Sequence, residues 1–283
     1  MNRVIVVKGA GDLATGIAHR LFRSGFPIIM TELAQPTVIR RTVAFAEAVF
    51  TGTTVVEGVK AVRIEPDKAM QVAEEGNIAV VIDEEAAIVE KCKPRAVVDA
   101  ILAKKNLGTK ITDAPVVIGV GPGFTAGADV HAVVETKRGH YLGRVITQGM
   151  ALPNSGIPGN IGGYNQERIL RAPCDGVFQA ISRITRQVEA GEVVAQVNGY
   201  PVPATISGVL RGLIRDGLTV TAGLKIGDID PRCVPEHCYT ISDKARAVGG
   251  GVLEALFMLG GWPEVPYFRN QMPCLGQGTT INQ

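Results

Sequence analysis

Apolar residues come in short runs broken by polar punctuation, and the first runs set the pattern. Val4 to Val7 are four consecutive β-formers; glycines follow, and then Leu13, Ile17, Ala18 and Leu21 recur at helical spacing. Ser24-Gly25-Phe26-Pro27 ends that helix, and a second apolar run, Ile28 to Met30, stops at Glu32. The spacing predicts strand, tight turn, helix and strand, a βαβ unit. The alternation continues. Pro36 is placed to open a helix carrying Val38, Ile39, Val43 and Phe45 on one side and Arg40-Arg41 on the other. After it come Val59 to Ile64, a helix from Pro66 to Glu75, and the apolar runs Ile78 to Ile82, Ala96 to Val98 and Val116 to Val120. Strands alternating with helices predict α/β architecture, a Rossmann-like N-terminal domain with a parallel sheet over residues 1–150.

The pattern then changes. Residues 151–170, opening ALPNSGIPGNIGGYNQ, hold turn-formers at most positions and read as a linker or lid that closes over the crevice. Residues 171–230 hide a repeat. Gly176 and Gly208, Val177 and Val209, Val188 and Val220, Ala190 and Ala222, Gly191 and Gly223, and Val194 and Ile226 all differ by 32. Two interlocked β halves follow from that offset, and the pattern resembles the barrel-sandwich (biotinyl/lipoyl-like) fold. Such carriers bear a lysine at a hairpin tip. The joining segment here, NGYPVPA, has none, so neither biotin nor lipoate is expected. Residues 231–283 supply a helix from Ser242, interrupted at Gly249-Gly250-Gly251, and a tail.

Composition narrows the classes. A chain of 283 residues, 46% hydrophobic and 20% charged with net charge +2, has enough apolar material for filled cores and no charge excess that asks for nucleic acid or an anionic membrane. No uninterrupted apolar window reaches membrane length, and the first strand begins at once, so the expectation is a cytoplasmic protein without a signal peptide. Five cysteines (Cys92, Cys174, Cys233, Cys238, Cys274) are too few and too irregular for a disulfide framework. Cys233 and Cys238 with His237 suggest a metal or a dithiol, yet the spacing is no standard zinc pattern, and no metal is expected.

Candidate chemistry starts at GAGDLA, which fits the G-x-G-x-x-G/A dinucleotide fingerprint with Gly9, Gly11 and Ala14. Gly9 would allow the turn, Gly11 would admit a pyrophosphate, Ala14 would let helix and strand lie close, and Glu32 would accept from a ribose. Asp12 stands against this, because as an N-cap it would put a carboxylate where phosphate should sit. The alternative is a turn whose glycines only pack. Asp83 and Asp99 also follow apolar runs, so Glu32, Asp83 and Asp99 are expected to share one crevice if the strands are parallel. Arg40-Arg41 read either as contacts to a phosphate or an NADP 2′ group, or as a solvated helix face. GVGPGFTAGADVHAVVETKRGH adds a glycine loop (Gly121, Gly123, Gly127) whose amides would approach an anion. In it, His131 and Glu135 read as an acid/base pair or metal ligands, or as the wet side of a strand. Arg138, His140 and Arg144 would clamp an anion.

Several of these segments together resemble a known family. VVKGAGDLATGIAHRLFRSGF, Thr31-Glu32, IGVGPGFTAGADVHAVVETKRGHYLGRVI, PNSGIPGNIGG and ISDKARAVGGGVLEAL are similar to the YqeB family of selenium-dependent molybdenum hydroxylase system proteins, over nearly the whole chain. The resemblance implies a bacterial, cytoplasmic accessory protein that matures such hydroxylases. On that reading the ligand is a dinucleotide such as NAD(P) or another adenine dinucleotide, or the molybdenum cofactor carried as cargo, and the partner is the hydroxylase apoenzyme. The resemblance fixes no catalytic residue. Cys174, Cys233, Cys238 and Cys274 are candidates for handling selenium or sulfur, and His131, Glu135 and Cys174 for catalysis. Two other classes stay open, an NAD(P)-dependent oxidoreductase and a non-catalytic scaffold. The oligomeric state is not fixed by the sequence.

Overall fold

The computed structural model describes residues 3–260; Cys274 lies outside them. The chain runs β1 (Ile5–Lys8), α1 (Asp12–Arg23), β2 (Ile28–Glu32), α2 (Ala48–Thr51), β3 (Thr53–Val56), β4 (Val59–Arg63), α3 (Ala69–Glu74), β5 (Ile78–Ile82), α4 (Ile88–Cys92), β6 (Ala96–Asp99), β7 (Val116–Val120), β8 (Thr125–Ala126), β9 (Ala132–Val134) and β10 (Val145–Ile146). It continues with β11 (Gly149–Met150), β12 (Ile169–Arg171), β13 (Gly176–Ala180), β14 (Gln187–Val188), β15 (Val193–Val197), β16 (Tyr200–Pro203), β17 (Gly208–Leu213), β18 (Thr219–Val220), β19 (Lys225–Asp230) and α5 (Asp243–Met258).

The βαβ unit forms as its spacing predicts, with β1 and β2 parallel. The sheet that grows around it has nine strands in the order β10-β9-β7-β6-β1-β2-β5-β4-β3. It is mixed, because β3 on β4 and β10 on β9 are antiparallel edges. The expected fold, a Rossmann-like domain with a parallel sheet followed by a barrel-sandwich module, is therefore overturned. One cause is the hairpin at Glu57-Gly58, both with positive φ. It pairs Val56 with Val59, so the apolar run after it is the second arm of a ribbon rather than a lone strand. The helix expected from Pro36 is also absent. Residues 34–40 are irregular, and only short 3-10 turns, Arg41–Val43 and Phe45–Glu47, precede α2.

The first body is not contiguous in sequence, since α5 returns to pack along α1. A Cβ on Gly16 would lie 2.6 Å from the Ala245 Cβ, and one on Gly249 would lie 3.0 Å from the Gly16 carbonyl oxygen. Without side chains there, the backbones approach closely. Gly249-Gly250-Gly251 does not interrupt α5, which is continuous and capped by the Ser242 hydroxyl accepting from the Ala245 N–H at 3.2 Å.

The 32-residue repeat is visible in the strands of the second body, and its halves pair crosswise: β13 with β18, and β14 with β17. They build two four-stranded antiparallel sheets, β12-β19-β17-β14 and β16-β15-β13-β18. The outer strands β12 and β16 carry no repeat signal, so the periodicity alone missed the sheets' full extent. Asn198-Gly199 makes a tight turn with both φ positive, and Tyr200–Pro203 is the returning strand. This body has its own core around Leu170, Phe178, Val194, Leu210 and Ile229. It is tied to the first body by the Leu213 N–H donating to the Ile39 carbonyl at 2.8 Å and by Arg41 Nε donating to the Leu213 carbonyl at 2.9 Å.

Candidate functional site

The two bodies and the segment between them enclose a cleft of about 570 Å³. The first body contributes the start of α1 (Asp12, Leu13), Ile39, Arg40, Lys104, Pro122 and residues 136–138. The second contributes Arg168, Arg171, Arg211, Lys225 and Asp228, and the start of α5 adds Ser242 and Lys244. Residues 152–159 line one side. Two contacts fix that segment. The Leu152 N–H donates to Glu135 Oε2 at 2.8 Å, and Arg168 Nη2 donates to the Gly159 carbonyl at 3.2 Å. Gly159 also lies over the stem of Arg138, where a Cβ would come within 2.5 Å of Cδ.

Nine arginines and lysines line the cleft against two carboxylates, Asp12 and Asp228. The arginines are engaged. Arg40, almost fully buried, reaches Asp12 Oδ2 at 3.4 Å and the carbonyls of His237 and Thr240 at 2.9 and 3.1 Å. Arg138 holds Asp243 through both terminal nitrogens, at 2.5 and 2.7 Å. Arg168 and Arg211 both donate to Asp228, Arg211 also reaches Asp230 Oδ2 at 3.2 Å, and Arg171 donates to the Gly223 carbonyl at 2.8 Å. The Nε atoms of Arg40 and Arg168 are buried and have no partner among the described residues. Burial raises Asp230, but its hydrogen bonds from Arg232 and the nearby charge of Arg211 outweigh this and hold it down at about 2.

The four cleft lysines are different. No ammonium among Lys104, Lys137, Lys225 and Lys244 makes a hydrogen bond or ion pair among the described residues. Lys225 reaches the water of the cleft, yet the crowding walls desolvate it and lower its pKa, with Arg168 and Arg211 adding to the effect and Asp228 and Asp12 opposing it. Lys244 is lowered by burial too, and Asp12 is the largest opposing charge. Among the described residues the site therefore carries positive charge that is not neutralised.

The expected site residues scatter. Gly9, at φ +89°, lies against the backbone of Ala100 and Ile101. Gly11, rather than Asp12, is the N-cap of α1; Asp12 is the first helical residue, and its Oδ1 accepts from the Leu13 N–H at 2.9 Å. Ala14 is buried under the sheet. Glu32 spends both oxygens on backbone, accepting from Ala10 and Leu33 at 2.8 Å each, and burial pushes its pKa up. None of Glu32, Asp83 and Asp99 lines the cleft. Asp83 accepts from the Ala87 and Ile88 N–H groups at the start of α4. Asp99 is buried and accepts from Thr109 Oγ1 at 2.6 Å, a hydroxyl that Lys8 also contacts at 2.7 Å.

The glycine loop is turned inward. The Gly121 and Gly127 N–H groups donate to the Val134 and Val130 carbonyls at 2.9 and 2.8 Å, and Gly123 packs on the backbone of Lys104 and Lys105. The amides of Gly121 and Gly127 are thus committed, contrary to expectation. His131 and Glu135 form no pair, because they flank β9 at opposite ends. His131 Nδ1 accepts from the Val117 N–H at 3.0 Å, while Glu135 Oε1 accepts from the Lys137 N–H at 2.7 Å. Arg138 lines the cleft, but His140 and Arg144 lie outside it on the two sides of Tyr141, so the three cations form no common clamp. Cys174 is half-buried in the second body, its Sγ 3.5 Å from the Val197 carbonyl. Burial raises the thiols of Cys92, to about 11, and Cys238. What the sequence reading missed is Lys104, Lys137, Arg168, Arg171, Arg211, Lys225, Asp228 and Lys244. A visible signal was present in the charges set inside the apolar strands VLRGLI and KIGDID.

No family model matches the chain. Over 259 residues it is 51% identical to the uncharacterized protein YqeB of Escherichia coli (strain K12), an alignment covering 91% of this chain. This chain is a homologue of YqeB. It spans about half of YqeB's length, 48%. The likeness supports the YqeB family resemblance carried by the motifs. Among solved structures, the ectoine utilization protein EutE (DoeB) of Ruegeria pomeroyi, product-bound, is 12% identical with a TM-score of 0.25 over 81% of this chain and 85% of that one. An aspartoacylase family protein of Mesorhizobium loti is 13% identical with a TM-score of 0.27 over the same shares. Among the described residues, no helix is long and apolar enough to cross a membrane, and no cluster of three or more His, Cys, Asp or Glu has the geometry to hold a metal ion.

Proposed function

We propose that this chain is an accessory protein in the maturation of selenium-dependent molybdenum hydroxylases, and that it holds a phosphate-bearing ligand of nucleotide or molybdopterin type in the cleft between its two bodies. The observation that carries the binding part is the cleft's charge among the described residues, nine cations against two carboxylates, with four ammonium groups unpaired. Such a surface favours an anionic ligand of several charges over a neutral one. The maturation role rests on the motif resemblance. YqeB homology is compatible with it.

A thermal-shift panel of NAD, NADP, FAD, ATP and molybdopterin dinucleotides tests the binding part. A true ligand held at 100 times its Kd stabilises the fold by roughly 2.7 kcal/mol, and no shift with any member defeats this reading. Deleting the gene and assaying a selenium-dependent molybdenum hydroxylase tests the role. The expected outcome is hydroxylase polypeptide that is present but inactive and lacking its labile selenium. Full activity in the deletion strain rules the role out.

A further inference from the structure

The positive charge of the cleft divides by residue type. Every lining arginine already has an acceptor, as Arg138 has Asp243 and Arg168 and Arg211 have Asp228, whereas Lys104, Lys137, Lys225 and Lys244 have none among the described residues. The lysines also divide by place. Lys225 and Lys244 both lie in the field of Asp12 at the start of α1. The backbone at Lys104 and at Lys137 runs beside the glycine loop at Gly121 and Gly123. A Cβ on Gly123 would be 2.9 Å from the Lys104 carbonyl carbon, and one on Gly121 would be 2.8 Å from Oγ1 of Thr136, the residue before Lys137.

We propose that these two lysine pairs are two phosphate subsites for a single ligand, so that the cleft selects compounds carrying at least two phosphate-type groups. The proposal rests on the anion-binding reading above and adds to it the class of ligand. An ammonium on a flexible stem is a point charge that adapts to a tetrahedral oxyanion. The planar guanidinium fork that would suit a carboxylate is used up in holding the walls. The charges also match, since two phosphate groups at about −1.5 to −2 each meet four ammonium groups that line one cleft. A compound with a single phosphate fills one subsite and leaves the other pair unneutralised.

Calorimetric titration of the full chain with orthophosphate, pyrophosphate and tripolyphosphate decides this. Pyrophosphate and tripolyphosphate are expected to bind at least tenfold more tightly than orthophosphate. Lys225→Met and Lys104→Met should each weaken pyrophosphate about ten- to a hundredfold, with melting temperatures near that of the wild type. The double variant should bind pyrophosphate no better than the wild type binds orthophosphate. Should a substitution disturb folding, amine acetylation of the wild type read by peptide mass spectrometry gives the same answer. Pyrophosphate should then protect the four cleft lysines and leave the exposed Lys60 and Lys91 unprotected. Equal affinity for orthophosphate and pyrophosphate, or undiminished pyrophosphate binding by the lysine variants, overturns the proposal. If pyrophosphate discriminates as expected while every dinucleotide fails, the two subsites stand and the nucleotide or pterin reading falls. If a dinucleotide binds without regard to the lysines, the reverse holds.

Discussion

Asp228 receives two guanidinium groups while itself almost wholly buried. Removing a carboxylate from such a cluster leaves its partners buried and uncompensated, which costs more than the pair's own attraction. Asp228→Ala is expected to lower unfolding stability by about 3–5 kcal/mol in a denaturant titration, and a loss under about 1 kcal/mol would mean that Arg168 and Arg211 find other acceptors. Its neighbour Asp230 makes a pH prediction. The folded pKa of about 2 lies below the usual 3.8, so Asp230 stabilises the fold above the ordinary carboxylate range, and that stabilisation is lost as pH falls toward 2. Asp243, held at about 2 by Arg138, acts in the same direction. Melting temperature should fall between pH 5 and 2, and Asp230→Asn should flatten that fall by removing up to about 2 kcal/mol of the dependence. At this scale the sequence was only partly legible. It marks Glu32, Asp83 and Asp99 as carboxylates after apolar runs, but the backbone N–H groups and the hydroxyl that engage them are set by turns and distant segments. Lys225 reads as an ordinary strand lysine until β19 brings it to the cleft that the start of α1 also lines.

At the scale of elements, the three glycines of α5 have three different jobs. A Cβ on Gly251 would lie 2.1 Å from the Gly143 carbonyl oxygen and one on Gly249 3.0 Å from that of Gly16, but among the described residues the nearest atom to one on Gly250, Arg20 Nη1, is 3.9 Å away. Gly251→Ala should therefore cost about 1–3 kcal/mol through overpacking, while Gly250→Ala should be neutral or stabilise by roughly 0.5–1 kcal/mol. Melting curves of the two variants separate these outcomes, and equal effects would contradict the packing described. The sequence announced close packing here without naming its partner, because the other surface, Gly16 and Gly143, lies more than 100 residues away. The 32-residue repeat was legible down to the strand, since its matched glycines and valines fall at equivalent places in β13 and β17 and in β14 and β18. The antiparallel edges β3 and β10 were not, because two- and four-residue strands give little periodic signal.

At the scale of the whole molecule, the cleft exists only because both bodies and the segment between them meet. Its walls come from α1, from residues near 104 and 137, from the second body and from the start of α5. A reading that assigns the ligand to one domain and packing to the other cannot find such a site, and for that reason the glycine turn drew attention away from the lysines. A ligand that contacts all the walls should slow amide exchange in residues 152–159 and at the start of α5 together. Protection confined to the turn at residues 9–11 would instead favour binding on the first body alone.

The pairing of α5 with α1 has a consequence for the order of events in synthesis. About 220 residues separate the end of α1 from the start of α5, roughly 10 to 45 s at 5–20 residues per second. Throughout that interval the Gly16 face of α1 has been translated but has nothing to cover it. The nascent chain must hold its first helix in an uncovered state until one of its last described elements emerges, and a chain stopped at residue 242 should present that face permanently and bind an apolar dye that the full chain excludes.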